Sequence, residues 1–184
     1  LELLKSLREL PPETFTRLRH LQPQSGCFNK CSFCSQGSVA RVVEFSIDAL
    51  RDIIAAIKAV AIENGIRSGR FSPDILTSTG ELSAAFSVQN NALISHSRDN
   101  RAAVIYCYLD NDPALYEHLD EYVDLVYQNL GVKTRIATVG YSRHNHMIRN
   151  AFKRLSDELS HCLAGVRLSI SPYTYGWTEA GSRA

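Results

Sequence analysis

Three cysteines, Cys27, Cys31 and Cys34, fall within eight positions of the stretch "SGCFNKCSFCSQGS". Thiols gathered this tightly in one loop point to a single bound group, and no other feature of the chain narrows its chemistry as far. A structural zinc wants four ligands in a closed tetrahedron, usually as two spaced pairs. Here the second pair is missing. Cys107 falls in a predicted strand and Cys162 at a predicted helix end, each alone, and His20 sits among strand-forming neighbours. A zinc-stapled, non-enzymatic binding protein is one reading of the cluster. The other is a [4Fe–4S] cluster, because C-x3-C-x2-C lets one loop wrap three corners of a cubane and leaves the fourth iron open. An open iron is a place where a substrate or cofactor binds.

The rest of the composition sets the setting for that loop. With five cysteines and no apolar leader, since "LELLKSLREL" is charged and amphipathic, the thiols read as ligands, reactive groups or packing rather than disulfides. That points to a reducing, cytoplasmic compartment. A net charge of +1 offers no broad electrostatic footprint for nucleic acid or an anionic membrane. The longest apolar run, around Ile53 to Ile62, is interrupted by Lys58 and is too short to span a bilayer. The chain opens at Leu1 rather than Met and stops on "GWTEAGSRA", which carries no helix or strand pattern, so a piece of a longer polypeptide is expected.

Periodicity gives an alternation of strands and helices. Leu1, Leu4, Leu7 and Leu10 predict a helix ended by Pro11-Pro12. "TFTRLRHLQP" alternates Phe15, Arg17, Arg19 and Leu21 and reads as a strand feeding the cysteine loop. Ser46 caps a long helix with Asp48 in its first turn and Gly65 at its end. Ile75 to Ser78 reads as a short buried strand, residues 82–101 as loop, and "AAVIYCYL" as a strand. Asp112-Pro113 starts a helix running through Leu115, Leu119, Tyr122, Val126 and Leu130 to Gly131. "VKTRIATVG" is the next strand, residues 146–161 the next helix, and "GVRLSISPY" the last strand. Units of this length predict an α/β chain with a mainly parallel sheet.

With the βα context in place, "CFNKCSFC" resembles the cluster motif of the radical S-adenosylmethionine enzymes, including an aromatic, Phe33, before the third cysteine. "TSTGEL" is similar to that family's Gly-Gly-Glu motif, with Thr79 in place of the first glycine and Gly80 and Glu81 kept. "IATVGY" and "RLSISPY" fall in the order of its third and fourth strand ends. The resemblance, covering Phe15 to about Tyr173, implies a partial (β/α)6 TIM-barrel-like core. Residues 1–14 would be a helical lead-in, and 15–184 the first four βα units, incomplete at the C-terminus.

It also implies that Cys27, Cys31 and Cys34 hold a [4Fe–4S] cluster. S-adenosyl-L-methionine would bind beside Phe33, Thr79, Gly80, Glu81, Ser169 and Ser171. Reductive cleavage of that cofactor would give a 5′-deoxyadenosyl radical that abstracts hydrogen from a peptide or, alternatively, a small molecule such as a sugar, amino acid or cofactor precursor. A flavodoxin or ferredoxin would supply the electron. Cys27, Cys34, Glu81, Val139-Gly140 and Ser169-Ser171 are expected together at the C-terminal ends of the strands. Lys30 and Arg41 beside the loop, His144 and His146 after the third strand, and Tyr173, Tyr175 and Trp177 after the fourth read more simply as surface or packing residues. Cys107 and Cys162 read as buried small hydrophobes.

Overall fold

A computed structural model describes residues 2–29, 37, 41–66, 104–140 and 145–168. The first helix, α1, spans Glu2–Arg8 and lays Leu4 and Leu7 against the core. A second, α2, spans Pro12–Thr16, where the sequence predicts the start of a strand. Pro12 occupies the first turn, where no backbone N–H is needed, Glu13 joins it there, and Phe15 is buried from the helix. The strand that should follow is reduced to one parallel bridge between His20 and Tyr106, made by Tyr106 N–H to Arg19 O and Leu21 N–H to Tyr106 O.

Beyond it, β1 (Gln24–Ser25) and β2 (Val43–Glu44) pair antiparallel and close the cysteine loop at its neck. Helix α3 spans Ile47–Glu63, with the Ser46 hydroxyl accepting from Ala49 N–H and Leu50, Ile54, Ile57, Val60 and Ala61 buried. Strand β3 is Val104–Tyr106. The helix expected from Asp112 onwards is broken. Asp112 caps a single 3-10 turn at Pro113–Leu115, Tyr116 turns extended, and α4 begins only at Leu119, running to Leu130. Gly131, at φ 67°, ends it by donating its N–H to Tyr127 O. Strand β4 is Lys133–Thr138, α5 is His146–Asp157 capped by Asn145, and β5 is Leu163–Leu168.

The three later strands pair in parallel in the order β3-β4-β5, with Tyr106 opposite Arg135 and Ala137 opposite Arg167. Helix α4 packs on β4 and is flanked by α3 and α5. Ile105, Cys107 and Ile136 from the sheet meet Leu119, Tyr122, Val123 and Val126 of α4 in one buried cluster with Ile54 and Leu155.

The partial (β/α)6 barrel expected from the resemblance is not formed. The described residues make five α-helices, one two-stranded antiparallel sheet and one three-stranded parallel sheet, with no closed barrel and no extended (β/α)6 core. A barrel needs tilted strands that stagger around a full circle. Among the described residues the lead-in contributes a single bridge and β3 only three residues, too little sheet to curl on itself. Tyr106 of β3 pairs directly with His20 of the lead-in, and the expected Ile75–Ser78 strand is not among the described elements. That segment lies outside the described residues. Among the described residues, no helix is long and apolar enough to cross a membrane.

Candidate metal centre at the strand ends

Strands β1 and β2 bracket the cysteine loop in sequence, and this neck is stitched down by hydrogen bonds. From α4, the Tyr122 hydroxyl donates to Leu21 O. The Tyr116 hydroxyl, on the break before α4, donates to Phe45 O at 3.0 Å. Phe45 N–H donates to Pro23 O at 3.0 Å. Both chain segments entering and leaving the loop are thereby fixed to the helical layer.

Two aspartates just past β3 complete the attachment. Asp110 accepts from the Gln22 amide at 2.9 Å and from the Ser25 hydroxyl at 2.6 Å. Asp112 is 5% exposed, and its backbone oxygen and both carboxylate oxygens accept hydrogen bonds. Its backbone O accepts from the Gln24 amide at 2.8 Å, and its Oδ1 accepts from Ala114 N–H at 3.0 Å. Its Oδ2 accepts from the Asn29 side-chain amide at 2.8 Å and from Val139 N–H at 3.0 Å. Asn29 lies two residues beyond Cys27, and Val139 directly follows β4. One carboxylate oxygen thus joins the cysteine loop to the C-terminal end of β4, the side on which open parallel sheets bind ligands.

Electrostatically the two aspartates differ. The Ser25 hydroxyl, with help from the Gln22 amide and backbone N–H groups, holds the Asp110 carboxyl below its ordinary value. Burial pushes Asp112 up, against the pull of Thr138, the Val139 and Ala114 amides and Asn29. The amide oxygens of Gln22 and Gln24 are buried with no donor among the described residues, and both side chains are held through their NH2 groups.

Cys27 is half-buried, and its Sγ accepts from Asn29 N–H at 3.4 Å. A backbone N–H aimed at sulfur favours the thiolate, the form that binds metal. Cys107 and Cys162 contrast with it: both are fully buried, and burial pushes both thiols up. Neither is placed to ligate. His20 Nδ1 lies 3.1 Å from Tyr108 O and donates to it, while the ring stacks on Tyr106 at 5.4 Å.

Of the residues expected together at the rim, Val139 shares the Asp112 Oδ2 acceptor with Asn29, two residues beyond Cys27. Cys31, Cys34, Phe33, Thr79, Gly80, Glu81, Ser169 and Ser171 lie outside the described residues, as do Lys30, His144, Tyr173, Tyr175 and Trp177. Arg41 and His146 are exposed. Among the described residues no three His, Cys, Asp or Glu side chains cluster as a metal site. The residues that sequence reasoning missed are Gln22, Gln24, Asn29, Asp110 and Asp112. A signal for the last two was available: two aspartates at i and i+2 directly after a β-branched strand sit where a parallel sheet presents its polar edge.

No protein-family model matches the chain, no curated protein is similar to it, and no solved structure matches its fold.

Proposed function

We propose that Cys27, Cys31 and Cys34 hold a [4Fe–4S] cluster with one iron open, and that the chain is a radical S-adenosylmethionine enzyme. The observation that carries this reading is the docking of the Cys27 loop onto the end of β4 through Asp112. A loop whose Cys27 end is tied to the ligand-binding edge of a parallel sheet is suited to chemistry. A zinc staple would need only to close on itself.

The groups present suit such a cluster. Sulfur is its natural donor, and the Asn29 N–H to Cys27 Sγ contact is of the kind that tunes cluster thiolates. Bound there and reduced by one electron from its donor, such a cluster would supply the electron for reductive cleavage of S-adenosylmethionine. The chain's own work is positional. Asp110 and Asp112 hold the neck of the loop, and Tyr116 and Tyr122 tie it to the helical layer. Thr79, Gly80, Glu81, Ser169 and Ser171, with Phe33, are assigned to the cofactor. A flavodoxin or ferredoxin in the cytoplasm would be the electron donor. Peptide modification is the first substrate class, and a small molecule the alternative.

Anaerobic reconstitution tests the reading. The expected result is uptake of about four irons per chain, with 5′-deoxyadenosine released on adding dithionite and S-adenosylmethionine. In Cys31→Ala iron uptake should be lost while the fold persists. One zinc per chain and no such product would refute the proposal.

A further inference from the structure

The two faces of the β3-β4-β5 sheet are unlike. One is closed by helices. The other carries His20, Tyr106, Tyr108, Arg135 and Arg167, and none of the described helices covers it. Strand register arranges these side chains in two rows. In the first, His20 bridges Tyr106, Tyr106 is opposite Arg135, and Arg135 is opposite Gly165. In the second, one step closer to the strand ends, Ala137 is opposite Arg167. Arg135 and Arg167 are therefore diagonal neighbours, within reach of each other for side chains of their length.

Between the two arginines the floor is low. Ala137 offers one methyl group and Gly165 none. A Cβ built at Gly165 would meet nothing within 4 Å. The arginines flank this depression, and aromatics border it. The Arg135 guanidinium lies over the Tyr106 ring at 6.0 Å, and Tyr108 stands edge-on to Tyr106 at 5.6 Å. Burial pushes the Tyr108 phenol up, and the two guanidiniums pull against that rise. Neither arginine is within ion-pair distance of a carboxylate among the described residues, whereas Arg8, Arg51 and Arg154 all are. Two like charges set around an open floor, with no counter-ion among the described residues, favour an anion that both can grip. The planar guanidinium fork fits carboxylate and phosphate oxygens two at a time.

We infer that Arg135 and Arg167, around the floor of Ala137 and Gly165, bind an anionic group, carboxylate or phosphate, of the molecule on which the enzyme acts. The inference rests on the function proposed above for the neighbouring chemistry, since Ala137 and Arg167 lie one step below the strand end that meets the cysteine loop. It narrows the substrate to one carrying a negative charge.

The test is calorimetric titration of the full chain with inorganic phosphate and with succinate at constant ionic strength. It is run on the iron-free protein and again after reconstitution. Saturable binding is expected in the wild type and in Arg149→Gln, which removes an exposed charge from α5. Binding should weaken at least tenfold in Arg135→Gln and in Arg167→Gln. Ala137→Leu, which fills the floor and leaves the charge unaltered, should weaken it as well. Equal affinity in all five proteins, or none in the wild type, would overturn the inference. So would competition between S-adenosylmethionine and phosphate after reconstitution, because the arginines would then serve the cofactor's carboxylate. Iron content and 5′-deoxyadenosine, measured on the same samples, report on the proposed function separately.

Discussion

The helical layer and the strand-end rim are held together by different forces. In the layer, Leu119, Tyr122, Val123 and Val126 of α4 are fully buried against Ile105 and Ile136, and stability there is a matter of area removed from water. At the rim, Asp110 and Asp112 do the joining through oriented hydrogen bonds to Gln22, Ser25, Asn29, Ala114 and Val139. Burial is tolerant of detail; an oriented carboxylate is not. The contrast teaches that the part of the chain proposed to do chemistry is the part whose geometry is specified bond by bond.

Removing a large side chain from the layer should have the greatest effect on stability. Leu119→Ala is expected to cost about 2–5 kcal/mol in urea unfolding, with iron uptake per folded chain unchanged. If iron uptake falls in step with stability, the two regions are not separable. Asp112→Ala should cost about 2 kcal/mol and act on the rim in particular. Hydrogen exchange at Asn29 and Val139 should speed up while α4 stays protected. Faster exchange spread evenly over both regions would break the contrast. Ser46→Ala, at the start of α3 and away from the rim, should cost about 1 kcal/mol and leave exchange at Asn29 untouched.

The smallest effect sharpens the comparison within the rim itself. Asp110, held below its ordinary value of 3.8, contributes stability that is present above that pH and lost as pH falls through its lowered value. Asp112, pushed above 3.8 by burial, does the reverse: its contribution is present at lower pH and is lost as pH rises through its raised value. On acidification, carboxyl NMR signals should show Asp112 protonating first and Asp110 last. The opposite order would mean that Asp112 is not buried at the joint.

What could be read from sequence follows the range of the interactions. Local signals sufficed for α3, where Ser46 and Asp48 mark the start, and for the end of α4 at Gly131. They also sufficed for the β-branched runs that became β3 and β4. They failed at Phe15–Leu21, where an alternating pattern competed with a helix start at Pro12 and with the burial of Phe15 from that helix. They failed again after Asp112, whose carboxylate is drawn to Asn29 and Val139 rather than to a long helix, while Tyr116 reaches out to Phe45. The barrel inferred from motif order was lost for the same reason, since strand order depends on pairings such as His20 with Tyr106 that leave no periodic trace. The proposal of a cysteine cluster rests on spacing alone, since Cys31 and Cys34 lie outside the described residues. The anchors of the loop, Asp110 and Asp112, were not legible, because they lie more than eighty residues from the loop they hold.

The central claim is that one iron of a cluster held by Cys27, Cys31 and Cys34 has no protein sulfur. Mössbauer spectra of the 57Fe-reconstituted protein, recorded without and with S-adenosylmethionine, address it most directly. The account predicts that about one iron in four changes its isomer shift when the cofactor is added, the other three holding still. A spectrum in which no iron responds, or a protein that takes up zinc in place of iron, would contradict it.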